Sequence, residues 1–374
     1  MVSMLRVVLT CLLALPVVVS AQGRARNVVL FLADAGGVPT INAASWHGYQ
    51  APRRLFLQHM PHIGLSETSP TNGLVTDSAA GMTAIVTGQK TRNGVLSQSD
   101  TAVRGEQDGA PLKTILEYAE ERGLSTGIIT NDSVTGATPG ALYAKANDRA
   151  KTASIFQQLF TPRFGDGPDI VIGAGRGSVA KALGAIGLDI EAIGREHGRP
   201  VLRDLTEVTP DLTRAVVVLE SGSYDLEAAI ETTMRILSRN PRGYFLMVEW
   251  DTHTDNPQRG LDRMVELDRA ISRTARMVGN DTLLLFTADH SFDLRLRGGD
   301  VQRPFLDGLE EERAKAASEK RSDIRLRTLR IDNGHTGEEV LVAAQGPGAE
   351  RVGGYLANSD LFHVMMGALG WQPD

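Results

Sequence analysis

Short apolar runs, rich in β-branched residues and closed by turn residues, punctuate the chain at Asn27–Ala33, Ser125–Thr130, Asp169–Ile172, Ala215–Leu219, Tyr244–Glu249, Thr282–Asp289 and Val340–Ala344. The runs are continuous rather than alternating, which is the pattern of strands covered on both faces. Helical spacing fills the gaps between them. Pro111–Arg122 begins with proline, suited to a first helical position, and stops before Gly123. Pro257–Val278 repeats apolar residues at Leu261, Met264, Val265, Ile271, Ala275 and Val278, and Asn358–Leu369 closes the chain with Asn358 or Ser359 as its cap. Strand alternating with helix predicts an α/β fold, a three-layer α/β/α sandwich around a mostly parallel sheet. One catalytic domain over residues 22–374 accommodates it. Two stretches interrupt the rhythm. Gly173 to about Thr213 is rich in glycine and short side chains. Asp307–Arg330 is dense in charge and weakly helical, and reads either as part of a small insertion over about 291–333 beside the site or as a solvated surface helix.

The N-terminus adds a location. Arg6 is followed by the apolar Val7–Val19, and Val19-Ser20-Ala21 offers small residues for cleavage, the pattern of an export signal over residues 1–21. The apolar run is shorter than the roughly 20 residues a span needs. The expectation is a periplasmic or secreted protein with no membrane span after cleavage. Cys11, the one cysteine of the chain, lies inside that signal. The mature chain then has no thiol, which excludes internal disulfides, thiolate metal sites and a cysteine nucleophile. A formal net charge of −6 without a basic run argues against nucleic-acid binding, where clustered Lys and Arg meet phosphates.

Candidate chemistry gathers where the apolar runs end, the edge at which open parallel sheets hold ligands. Asp34, Glu249 and the pair Asp289-His290 each follow such a run. A carboxylate in that position is costly unless paired or bound to a metal. His253 stands in Asp251-Thr252-His253-Thr254-Asp255, and His335 in Asn333-Gly334-His335-Thr336-Gly337. Aspartate with histidine and no thiol fits Zn2+ with mixed nitrogen and oxygen ligands. The segment Thr76-Asp77-Ser78-Ala79-Ala80-Gly81 sets Ser78 before a run of small helix-forming residues. There Ser78 is either a simple N-cap or a hydroxyl placed where free amides favour an anion.

These residues together resemble the alkaline phosphatase family, from about Asn27 to the C-terminus. Thr76-Asp77-Ser78-Ala79-Ala80 is similar to the family's nucleophile motif. Ala137-Thr138-Pro139 followed by Arg149 is similar to its magnesium-threonine and phosphate-arginine segment. Thr287-Ala288-Asp289-His290 and Gly334-His335-Thr336-Gly337 are similar to two zinc segments. The resemblance implies hydrolysis of phosphate monoesters through a phosphoserine at Ser78, with two Zn2+ and one Mg2+. It implies that Asp34 bridges one zinc and the magnesium, that Asp289 and His290 hold that zinc beside Ser78, and that His253 and His335 hold the second. Thr138 and Glu249 would complete the magnesium site, Arg149 would clamp two phosphate oxygens, and Asp77 would orient Arg149. A homodimer is left open.

The chain departs from the family in three places. The usual Gly-Asp-Gly-Met-Gly is Ala33-Asp34-Ala35-Gly36-Gly37 here. Glu249, Asp251 and His253 are compressed into five residues, where the family spreads its Glu, Asp and His further apart. Three arrangements follow: Glu249 serves magnesium while Asp251 and His253 serve zinc, the arrangement we favour; or Glu249 takes the zinc role; or Asp255 contributes. Gly136 stands two before Thr138, where some relatives carry a charged residue or histidine. Rival functions are a phosphodiesterase or other ester hydrolase on the same scaffold, a dinucleotide enzyme using Gly173-Ala174-Gly175-Arg176-Gly177-Ser178, and a non-catalytic exported metal or phosphate binder. The glycine cluster lacks the third glycine at the required spacing.

Overall fold

The computed structural model describes residues 23–209 and 211–373; the expected export signal and Cys11 lie outside the described residues. The strands are β1 (Asn27–Asp34), β2 (His62–Glu67), β3 (Ser125–Ser133), β4 (Ile170–Ala174), β5 (Val201–Leu202), β6 (Ala215–Val218), β7 (Tyr244–Asp251), β8 (Thr282–Thr287), β9 (Ser291–Leu296), β10 (Ile324–Arg325), β11 (Leu329–Thr336), β12 (Val340–Gln345) and β13 (Gly354–Ala357). Ten of them form one sheet in the order β13-β2-β12-β8-β1-β7-β3-β4-β6-β5. Within it β12 runs against both its neighbours, and every other pairing is parallel. Alternate residues of β1 supply two separate cores: Val28, Leu30 and Leu32 face one helical layer, and Val29, Phe31 and Ala33 face the other. A strand with both faces covered has no polar side to show, which is why the apolar runs are unbroken.

Register brings the chemistry to one edge. Leu32 and Thr130 both pair with Glu249, and Asp34 pairs with Asp251. Thr282–Asp289 is a strand only to Thr287, so Asp289 and His290 stand just beyond β8. The helix expected from Pro111 starts at Ile115 instead. A capping box wins over the proline: the Glu117 amide donates to Thr114 Oγ1 at 3.2 Å, and the Thr114 amide donates to Glu117 Oε2 at 2.8 Å. Helix Pro257–Met277 matches its expectation within one residue. The closing helix spans Asp360–Leu369, and neither Asn358 nor Ser359 caps it through a side chain. Gly173–Thr213 keeps the rhythm, with helices Arg176–Gly184 and Ile190–Glu196 and strand β5. Between β8 and β12, strands β9, β10 and β11 make a separate antiparallel sheet in the order β10-β11-β9, accompanied by helix Leu309–Ser318.

One buried acid away from the sheet edge makes stability depend on pH. Burial pushes the Glu120 carboxyl up from 4.5 to about 8, although the Asp166 and Gly167 amides and the Thr126 hydroxyl donate to it. An acid raised in the folded state adds stability below its unfolded pKa and loses it as pH climbs through the folded value. Glu120→Gln retains an acceptor for both amides. It is expected to match the parent near pH 5 and to exceed it by about 2 kcal/mol at pH 9, read from urea midpoints at the two pH values.

Candidate active site

Ser78 opens helix Ser78–Thr87, every residue of which is buried. The cap is the preceding residue: Asp77 Oδ1 accepts from the Ala80 amide at 3.0 Å, so the Ser78 hydroxyl is free of that duty. Gly81 lets this helix sit against the end of β8, since a Cβ there would lie 2.8 Å from the Asp289 carbonyl oxygen. The result is a hydroxyl 3.3 Å from His290 Nε2 and 3.5 Å from Asp34 Oδ2, with Ser78 3% exposed.

Asp34 ends β1 and is held through its backbone, because the Thr252 amide and hydroxyl both donate to its carbonyl, at 2.9 and 2.7 Å. The next residue, Ala35, is buried at φ 64, a left-handed conformation that costs a non-glycine residue about 1 kcal/mol. Its amide donates to Asp289 Oδ1 at 3.3 Å, as does that of His290 at 2.9 Å. The other oxygens stay free: Asp34 Oδ1 and Asp289 Oδ2 have no hydrogen-bond partner among the described residues. His290 Nε2 lies 3.4 Å from the first and 3.5 Å from the second.

The three histidines arrive from different elements. His290 and His335 stack with ring centroids 3.8 Å apart. His335 is carried by β11, which pairs it with Phe292 on β9, so the accessory sheet delivers an imidazole to the site rather than only covering the surface. Each ring is fixed through Nδ1, which meets the Ser291 carbonyl in His290, the Thr76 carbonyl in His335 and Asp251 Oδ1 in His253, at 3.1, 3.1 and 2.8 Å. A ring anchored in this way turns Nε2 toward the site, as in carbonyl- and carboxylate-oriented metal histidines. Donor atoms of His253, His290 and His335 lie within 4.8 Å of one another, as do those of Asp34, Asp289 and His290. The two groups share His290.

A third group lies near Asp34, whose charge acts on Glu249. Glu249 is buried and accepts from the Thr130 hydroxyl. Thr138, 1% exposed, sits beside it in helix Ala137–Tyr143 and helps hold its carboxyl down, yet no acceptor completes a well-formed hydrogen bond to the Thr138 hydroxyl. Burial is the main force on both acids. It drives Glu249 and Asp34 well above the usual carboxylate range; Asp289, Asp251 and Asp132 raise Asp34 further against the pull of His253, and Asp34 and Asp132 raise Glu249 further. Burial likewise pushes His290 down to about 4. Burial also pulls on His253, but its bond to Asp251 and the charge of Asp34 outweigh it and raise the ring to about 9. Crowded buried carboxylates with unpartnered oxygens and neutral imidazole fit divalent cations.

Asp251 faces two ways. Its Oδ1 accepts from the His253 backbone amide at 3.0 Å, besides the ring contact, and its Oδ2 meets Arg263 Nη1 at 2.6 Å. Burial opposes these contacts, but they hold its carboxyl down at about 2. Asp255 turns away onto Arg259, at 2.9 and 3.1 Å. Arg149 Nη1 donates to Asp77 Oδ2 at 3.2 Å, and the Gly94 amide donates to the same oxygen at 2.9 Å. The Arg149 amide in turn donates to the Gly94 carbonyl at 2.8 Å, so Gly94 ties the arginine segment to the residue preceding Ser78. Sequence reasoning missed Thr130, Thr252 and Arg263. The first two look like ordinary strand-end polar residues, and Arg263 is one of several arginines on a solvated helix.

A family model for alkaline phosphatase matches residues 25–170 and 220–320, more than half of the chain. An alkaline phosphatase of Gadus morhua is 28% identical, the match covering 92% of this chain and 91% of that protein. Streptomycin-6-phosphate phosphatase of Streptomyces griseus is also 28% identical, covering 94% and 92%. Among solved structures, alkaline phosphatase of Thermus thermophilus aligns with a TM-score of 0.78 at 21% identity, covering 94% of this chain and 92% of that one. That of the Antarctic bacterium TAB5 aligns at 0.74 and 22%, covering 94% and 100%. These structural likenesses establish the fold. With the family match added, the chain belongs to the alkaline phosphatase family, a family of phosphate-ester hydrolases.

Proposed function

We propose that this enzyme hydrolyses phosphate monoesters through a phosphoserine formed at Ser78, with two Zn2+ and one Mg2+ held around it. One observation carries the reading: Ser78 Oγ lies within 3.5 Å of both His290 and Asp34, whose donor atoms belong to two metal-competent groups sharing one histidine. In this reading Asp34, Asp289 and His290 hold one zinc beside Ser78. His253 and His335 hold the other, with Asp251 as a ligand or as the partner that orients His253. Asp34, Thr138 and Glu249 hold magnesium. When bound, the cations supply Lewis acidity, lowering the pKa of a hydroxyl and taking up charge on a departing oxygen.

The chain's own groups do the rest. Ser78 gives up its hydroxyl proton to solvent, its Oγ bonds to phosphorus as the bond to the leaving oxygen breaks, and that oxygen takes a proton from water and departs as the alcohol. Water then attacks the phosphoserine, restoring Ser78 and releasing inorganic phosphate. Arg149 binds two free phosphate oxygens through its planar fork, and Asp77 keeps the fork in place. A monoester has three non-bridging oxygens, enough for Arg149 to take two while one is left for the cations, and a diester has only two, which favours the monoester. Export, carried by the Arg6 and Val7–Val19 pattern, belongs to the same proposal.

The test is hydrolysis of an aryl phosphate by purified protein, with an aryl diester in parallel and chelator in a third series. Monoester turnover should vanish with chelator and return with Zn2+ and Mg2+. Comparable diester turnover would favour the rival esterase, and turnover that survives full metal removal would end the metal-dependent reading. Arg149→Ala should lower kcat/KM for the monoester by about 100-fold, the usual loss for one charge-stabilising donor, while metal content measured by atomic emission stays the same.

A further inference from the structure

We propose that Asp132 is the outer carboxylate of the oxygen-donor site formed by Asp34, Thr138 and Glu249, and that it strengthens binding of a hard divalent cation such as Mg2+ there. The inference rests on the reading that these residues hold a cation.

Asp132 stands near the end of β3, two residues beyond Thr130. Its amide donates to Thr130 Oγ1 at 2.9 Å, and that hydroxyl donates to Glu249. The backbone that positions Glu249 therefore also positions Asp132. The chain then turns, the Gly136 amide donating to the Ser133 carbonyl at 2.7 Å, and enters the helix that carries Thr138. Gly136 leaves room at this turn and the Asp132 carboxylate fills it: a Cβ at Gly136 would lie 2.8 Å from Asp132 Oδ2.

A bland role for Asp132 would be an Asx turn, in which the carboxylate accepts an amide two residues on. Among the described residues, however, its carboxylate takes part in no hydrogen bond and no ion pair. Its charge is felt instead by Asp34 and Glu249. The Thr138 hydroxyl, buried beside Glu249 yet making no well-formed hydrogen bond, is a further sign of a missing ligand. Carboxylates around a hydroxyl make an all-oxygen donor set, which suits Mg2+ rather than a nitrogen-seeking metal. Because Asp132 is exposed, its contact is through water, which Mg2+ retains readily.

The experiment uses the full chain, stripped of metal, reloaded with Zn2+ and titrated with Mg2+ at physiological salt, with the rise in Tm as readout. Asp132→Asn should move the Mg2+ midpoint up by about tenfold or more, the usual cost of losing an outer-shell partner, with bound zinc unchanged. Asp132→Glu keeps a carboxylate at this turn and should retain most of the affinity. A parent that responds to Mg2+ and an Asp132→Asn variant with the same midpoint would overturn this inference alone. A zinc-loaded parent with no response to Mg2+ would overturn it together with the magnesium site.

Discussion

Ser78→Ala is expected to lower kcat for an aryl phosphate by on the order of 10⁴-fold or more, the scale seen when a nucleophile is removed, and to leave the fold and metal content intact. The separation of these effects follows from the local structure. Asp77, not Ser78, caps the helix, so alanine forfeits no cap and gains slightly in helix propensity. The hydroxyl makes only long contacts, 3.3 Å to His290 and 3.5 Å to Asp34, and their loss costs little stability. Urea midpoints should agree within about 0.5 kcal/mol. Acid-quenched parent enzyme should carry phosphate on Ser78 after mixing with substrate, and the variant none. Residual turnover within tenfold of the parent would place the nucleophile elsewhere.

The parts of the molecule that sequence alone reveals are those whose cause is local. A strand sealed on both faces must be apolar throughout, so β1, β3, β7 and β8 stand out in the hydrophobic pattern. Carboxylates at their ends stand out because nothing apolar explains them. Strand β2 did not announce itself, being half-covered, with Ile63 and Leu65 exposed and Gly64 and Ser66 buried. Strand β13 pairs on one side only and shows Tyr355 to solvent. Neither has a run long enough to separate from a loop. The ring contacts of His335 are hidden for another reason. They depend on β11 pairing with β9 across the intervening helix, a long-range register that no short window contains. Pro111 misled because a favourable first-turn residue is weaker than a complete capping box a few residues later. The engagement of Asp251 by Arg263 was equally invisible, since one turn of helix more or less would point a different arginine inward.

Asp34→Asn should act in opposite directions with and without metal. The loaded enzyme should lose its cations and about 10³-fold or more in activity. The metal-free protein should become more stable, by about 1–3 kcal/mol at alkaline pH. Asp34 is buried, its Oδ1 has no hydrogen-bond partner, and burial together with Asp289, Asp251 and Asp132 raises its carboxyl well above the usual range despite the opposing pull of His253. An acid raised in the folded state binds its proton more tightly there than in the unfolded chain. Stability therefore falls as pH climbs from the unfolded pKa toward the folded one, and asparagine, which does not titrate, escapes that loss. The advantage of the variant in chelator should grow with pH. The backbone contacts from Thr252 do not involve the side chain, so the substitution leaves them in place. Thermal unfolding of both proteins, in chelator and in Zn2+ with Mg2+, at mildly acid and alkaline pH, measures the crossing. A variant destabilised equally with and without metal would show that the Asp34 carboxylate holds the fold rather than a cation, and the ligand proposed to join the zinc beside Ser78 to the magnesium would be lost from the mechanism.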